Sequence, residues 1–126
     1  MSSVVIFRVM NPAPVKPTIS FDVLNRIDIR VGTILSVADV PNSDKLVQLR
    51  VSFGDHERTI VAGLKAERSN PREIEGKQAL FVLNLEPRKM CGILSEGMLF
   101  DIGYADGVRP VLAVPEGEVP AGTRAG

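Results

Sequence analysis

Arg88 and Lys89 stand side by side in the stretch "NLEPRKMCGILSEGMLF", residues 84–100, within a chain of zero net charge. Asn84 lies before them, and Ser95 and Met98 lie after. Two adjacent cations beside Pro87 and near Gly92 suit a turn at the edge of a sheet. Such charges neutralise phosphates, while a neighbouring amide and hydroxyl fix register as uncharged hydrogen-bonding groups. Each residue also has a plain structural use: a solvated hairpin for Arg88 and Lys89, a strand-end hydrogen bond for Asn84, core packing for Met98. Only their joint placement points to a nucleic-acid backbone. Phe100 is the one aromatic nearby, so a platform for stacking single-stranded bases has little support.

Other chemistry is thinly supplied. His56, the single histidine, sits between Asp55 and Glu57 in a turn-like "GDHE". Neighbours in an extended chain point apart, so the triplet reads as an exposed turn and not as a general base. One histidine and one cysteine, Cys91, cannot supply an N/S zinc site. "EGK" at 75–77 lacks the upstream glycine of a phosphate loop. Neither an enzyme nor a cofactor is expected.

The elements that must carry these residues read as strands. Hydrophobic residues make up 44% of the 126 positions, enough for one domain with an ordinary core. Aromatics are only 5%, so Val, Ile and Leu must fill it. Ile27, Ile29 and Val31 alternate with polar residues; after Gly32 the parity flips to Ile34, Ala38 and Val40. A glycine at a parity flip predicts a β-bulge at Gly32. "LVQLRVSF" alternates cleanly, "RTIVAGL" follows as a third strand, and "KAERSNPREIEGK" predicts a short helix or loop with Pro71 near its start. "KQALFVLNL" reads as a strand buried on both faces, and "CGILSEGMLFDIG" as a fifth. Ser20 is placed to cap a short helix over "FDVL". "PVLAV" adds a short strand near the C-terminus. Residues 1–18, with strand-like "VVIFRV" and then Pro12, Pro14 and Pro17, read as an arm or linker, and residues 19–126 as the domain. An all-β, five-stranded Greek-key barrel with short helical connectors and a C-terminal extension fits best. A sandwich of similar strands shares the same periodicities.

Charge is uneven along the chain. Residues 95–126 hold two basic against five acidic side chains, leaving thirteen against ten in residues 1–94. A polyanion would favour the earlier part. No apolar run approaches the ~20 residues of a spanning helix, and the N-terminus makes a poor export signal. No membrane association and a cytoplasmic location are expected.

Five blocks in order carry a resemblance: "IDIRVGTI" at 27–34, "NSDKLVQLRVSFG" at 42–54, "IVAGL" at 60–64, "NLEPRKMCG" at 84–92 and "SEGML" at 95–99. Together they resemble the tRNA-binding domain family, over about residues 20–122. That family includes free-standing tRNA-binding proteins, C-terminal appendages of methionyl-tRNA synthetases and CsaA-type export chaperones. The resemblance implies an oligonucleotide-binding barrel, a homodimer paired through the C-terminal extension, and tRNA recognised by shape near the outer corner of the L. It implies RNA contacts at Lys45, Asn84, Arg88, Lys89, Ser95 and Met98, and an aminoacyl-tRNA synthetase as a possible partner. Cys91 stands where the family usually has a basic residue, which removes one phosphate-binding charge. The alternative on the same fold is a CsaA-type chaperone for unfolded precursor polypeptides. The extension at 108–119 is expected to cover the dimer interface.

Overall fold

The long first strand organises the molecule. The computed structural model describes residues 11–126; the strand-like "VVIFRV" lies outside them. Strand β1, Ile29–Asp39, pairs antiparallel with β4, Gln78–Val82, through residues 29–33. From Thr33 to Asp39 it pairs with β2, Val47–Ser52. Strand β2 pairs in turn with β3, Glu57–Ala62, in unbroken register. One strand shared by two neighbours in this way must bend. The register slips between Ile34 and Ser36, leaving Leu35 and Ser36 both exposed while Ile34 and Val37 both point inward.

The bulge is therefore at Leu35–Ser36 and not at Gly32, and the inward residue after it is Val37 and not Ala38. Gly32 serves another purpose. A Cβ there would lie 2.5 Å from Val51 Cγ1, 2.7 Å from the Phe53 ring and 2.9 Å from the Phe81 ring. The glycine is a gap into which two of the five phenylalanines fit, edge to face with centroids 5.5 Å apart. Sequence parity marks a glycine on the core face equally well whether it bends the strand or makes room for a neighbour.

The core follows from the alternations. Val47, Leu49, Val51 and Phe53 are buried on one face of β2 as their spacing predicts, against Ile34, Val37, Ile60, Ala79 and Phe81. Fully burying a side chain the size of Phe81 stabilises by roughly 1.5–3 kcal/mol. The polar connector after β3 forms two short 3-10 turns, Leu64–Ala66 and Pro71–Ile74, and plugs the barrel with buried Leu64 and Ile74. Pro71 opens the second turn, where its missing N–H costs nothing. Ser20 caps the short helix α1, Phe21–Leu24, through its hydroxyl to the Val23 amide, as expected.

The fifth strand is broken into pieces. They are β6, Ile93–Ser95; β7, Met98–Leu99; and β8, Asp101–Ile102, and a further short strand, β5, Arg88–Met90, precedes them. Strand β7 pairs with β4, and β5 with β6 form a separate hairpin. At the remaining seam, Ser95 and Glu96 complete a nearly closed barrel against β3. Glu96 N–H donates to Thr59 O at 2.9 Å, Thr59 N–H to the Glu96 carboxylate at 3.2 Å, and Val61 N–H to Ser95 Oγ at 3.0 Å. Side chains thus take over where the backbone ladder lapses.

The C-terminal extension is stitched to the outside. Strand β9, Val111–Leu112, pairs with β8; Gln78 holds Val119 by two hydrogen bonds; and β10, Arg124–Ala125, pairs with β1 at Ile29 and Arg30. That last strand was not foreseen. It takes the edge of β1 that β2 leaves vacant before Thr33. Asp28 anchors it through Arg30, at 2.8 Å, and Arg124, at 3.3 Å, and these partners hold the Asp28 carboxyl below its ordinary range.

Two outcomes are expected. Gly32→Val should destabilise by roughly 1–3 kcal/mol or more through overpacking, read by chemical denaturation; an unchanged midpoint would mean that the core can give way around Gly32. The second concerns Glu67, which follows the first 3-10 turn, and Asp101 of β8. Burial, with the adjacent Asp101 carboxylate, pushes Glu67 up to about 7, and burial also raises Asp101. The native state therefore keeps protons that the unfolded chain has released. Stability should fall as pH rises from the ordinary glutamate value of 4.5 through about 7. Melting temperature should be higher at pH 5 than at pH 8, and Glu67→Gln should reduce that difference.

Candidate nucleic-acid interface

The hairpin carrying Arg88 and Lys89 is a two-stranded sheet of its own, docked on β3 through Ser95. Arg88 pairs with Ser95, Lys89 with Leu94 and Met90 with Ile93, leaving Cys91 and Gly92 as a two-residue loop. Their φ angles are +48° and +81°. Positive φ at both central positions is the turn whose twist matches a hairpin, and it favours Asn-Gly. Gly92 takes it freely; Cys91 takes it against its Cβ. Cys91 is thus at a hairpin tip, exposed to solvent.

Strand geometry separates the two cations. As neighbours on β5, Arg88 and Lys89 point to opposite faces. Arg88, with Met90, lines a cleft of about 210 Å³ between the hairpin and the barrel. Val61, Leu85, Glu86, Ser95 and Met98 complete most of its wall. Lys89 is opposite the half-exposed Leu94 on the other face. None of the ion pairs among the described residues involves Lys45, Arg88 or Lys89, whereas Arg30, Arg50, Lys65, Arg68 and Arg124 each hold a carboxylate.

The uncharged candidates work mainly inside the protein. Ser95 is 4% exposed; its hydroxyl accepts from Val61 N–H and donates to Gly97 O at 3.1 Å. The Asn84 side chain accepts from Asp28 N–H at 2.7 Å and donates to Arg26 O, tying the end of β4 to the entry of β1. In this structure both amide and hydroxyl already have protein partners. Met98, 44% exposed, lines the cleft.

Lys45 stands apart, on the turn between β1 and β2. Asn42 adopts φ +64° there, and Ser43 Oγ accepts from the Lys45 and Leu46 amides. Lys65, on the connector, pins the same turn. Its ammonium donates to Ser43 O at 2.7 Å and pairs with Asp39, while its backbone N–H donates to Lys45 O. The structure therefore gathers Arg88, Ser95 and Met98 around one cleft, with Asn84 in the segment leading to it. The hydrogen bonds of Lys45's turn run to Lys65 and not to the hairpin.

Sequence reasoning passed over Lys65 and Arg58. Arg58 shares the strand parity of buried Ile60, and an arginine on the inward side of a strand was a usable signal. His56 occupies the turn as expected, but it is not idle. Its Nδ1 meets Asp55 at 2.7 Å, its Nε2 accepts from Arg58 Nε at 2.9 Å, and its ring stacks on Phe53.

Comparison with known proteins fits this architecture. A family profile described as "Putative tRNA binding domain" matches residues 29–124. Methionine–tRNA ligase of Parabacteroides distasonis is 46% identical over 110 residues, covering 87% of this chain but 16% of the ligase. That of Thermococcus kodakarensis is 42% identical over 106 residues, covering 84% of this chain and 14% of the ligase. The chain thus spans about one sixth of the length of the curated relatives it matches. Among solved structures, the MetRS related protein from Pyrococcus horikoshii superposes with a TM-score of 0.80 at 34% identity, covering 87% of this chain and 99% of that one. The chaperone CsaA from Bacillus anthracis gives 0.74 at 25% identity, covering 87% and 100%. A profile match across most of the domain, on a barrel of this topology, places the chain in the tRNA-binding domain family.

Proposed function

We propose that this domain is a non-catalytic tRNA-binding module that recognises tRNA through its shape and backbone and acts as a homodimer, free or beside an aminoacyl-tRNA synthetase. The observation that carries it is the pair of exposed cations, Arg88 and Lys89, on one hairpin, neither held by a carboxylate among the described residues. Arg30 and Lys65, by contrast, are held by carboxylates. Phosphate oxygens supply the missing partner without demanding a base sequence.

The homodimer rests on apolar surface outside the barrel. Ile102, Tyr104, Val108, Val111 and Val114 of the extension are all exposed, as is Phe21 of α1. Two copies paired there would present two basic hairpins to one ligand. A second reading draws on the cleft. Its Val61, Leu85, Met90 and Met98 lining is the kind of apolar slot that takes side chains of an unfolded polypeptide, and the CsaA likeness gives it a precedent in fold.

Salt dependence separates the readings. Each phosphate contact contributes about 0.7–0.9 to the slope of log affinity against log salt. Lys89→Ala should flatten the slope by about that amount if one copy contacts the RNA, and by roughly twice that if both do. Affinity for different tRNAs should fall alike. Strong binding of an unfolded polypeptide with no tRNA binding at low salt would favour the chaperone reading. For assembly, sedimentation should show a dimer at micromolar concentration, and Val111→Asp should shift it toward monomer. A monomeric wild-type chain would defeat the dimer.

A further inference from the structure

Segment 84–95 leaves the barrel after Leu83 and returns at Glu96. The two residues that bound it are linked by a single side chain from another strand. Arg58 of β3 donates from Nη1 to Leu83 O at 2.7 Å and to Glu96 O at 3.1 Å. One guanidinium nitrogen thus bridges the exit and the return of the segment that holds Asn84, Arg88, Lys89 and Ser95. The far side of the same guanidinium is held as well, since Arg58 Nε donates to His56 Nε2 at 2.9 Å. His56 is fixed by Asp55 on its Nδ1, at 2.7 Å, and by stacking on the buried Phe53 ring, centroids 5.6 Å apart. The line runs from a core aromatic, through histidine, to arginine, to both ends of the hairpin segment.

We propose that Arg58 is a positioning residue for the basic hairpin: it clamps the base of segment 84–95, and His56 orients it. Arg58 is half-buried, and its Nη1 and Nε donors go to protein carbonyls and the imidazole, so its role is assigned through the hairpin. Without the clamp the backbone bonds from Leu83 N–H to Asp28 O and from Glu96 N–H to Thr59 O still anchor the strands. The barrel persists while the hairpin loses a fixed direction. A rigid planar fork is needed, because it spans two carbonyls and an imidazole at set angles; a lysine ammonium is a point charge on a flexible stem.

The consequence for binding rests on the tRNA reading; the clamp itself does not. Amide hydrogen exchange on the full chain tests the clamp without any ligand. Arg58→Met should raise exchange in residues 88–95 by about tenfold or more, with β1 and β2 unchanged. Arg58→Lys should not restore protection. His56→Ala should give a smaller loss, and His56→Gln, which keeps an acceptor, should recover most of it. Unchanged exchange in the hairpin would overturn the clamp. A uniform rise across the barrel would also overturn it, making Arg58 a general stability residue; should Arg58→Met fail to fold, Arg58→Lys and His56→Ala decide. Titration with bulk tRNA then tests the consequence. Arg58→Met should weaken binding roughly fivefold, but less than about twofold further in an Arg88→Ala, Lys89→Ala background. Fully additive losses would show that Arg58 meets the RNA directly and overturn the positioning role, as would a looser hairpin with unaltered affinity. If the wild-type chain binds no tRNA, the functional reading falls while the exchange result still decides the clamp.

Discussion

A sheet closed into a barrel needs its last strand to meet its first neighbours, and here the last strand is in pieces. The seam between β3 and residues 95–97 depends on Ser95 and Glu96, whose hydroxyl and carboxylate accept the Val61 and Thr59 amides. Buried backbone donors left without partners are costly, so this substitution of side chains for a ladder is what lets the barrel close. The break has a use. Residues released from the ladder are free to project as the hairpin that carries Arg88 and Lys89. Closure and display are two results of one arrangement.

Much of the fold was legible in the sequence because burial in strands has a period of two. The face of Val47, Leu49, Val51 and Phe53 could be read directly, as could Pro71 opening a short turn and Ser20 capping a helix. What periodicity could not supply was the reason for each irregularity. A bulge and a tight approach both break or occupy a parity position, and only the Phe53 and Phe81 rings against Gly32 tell them apart. The broken fifth strand was illegible for a related reason: "CGILSEGMLFDIG" keeps a strand's composition across three short pieces, and the glycine-bounded joints show only in backbone angles. β10 lacked even composition, because its pairing depends on a vacant edge far away in sequence.

The candidate site divides along chemical lines. Exposed charges could be picked out from the sequence, since a cation on a turn has few internal uses. Asn84 and Ser95 could not be assigned, because an amide or hydroxyl serves a ligand and the backbone equally well, and the choice depends on which partner lies nearer. In the structure both have protein partners. They build the platform, while Arg88 and Lys89 present charge and Met98 lines the cleft. Adjacent letters also misled: Arg88 and Lys89 look like one basic patch, yet β5 turns them to opposite faces. One charge borders an apolar cleft and the other faces solvent, which suits a ligand that wraps the hairpin.

The central claim, proposed above, is that the hairpin carrying Arg88 and Lys89 meets tRNA. The most direct measurement is a titration of uncharged tRNA into isotope-labelled protein, followed by backbone amide chemical shifts at low salt. The account predicts shifts concentrated in residues 85–94, fading as salt rises, with residues 101–112 of the extension unmoved. Shifts confined to the extension, or none at any salt while an unfolded polypeptide moves the cleft residues, would contradict it.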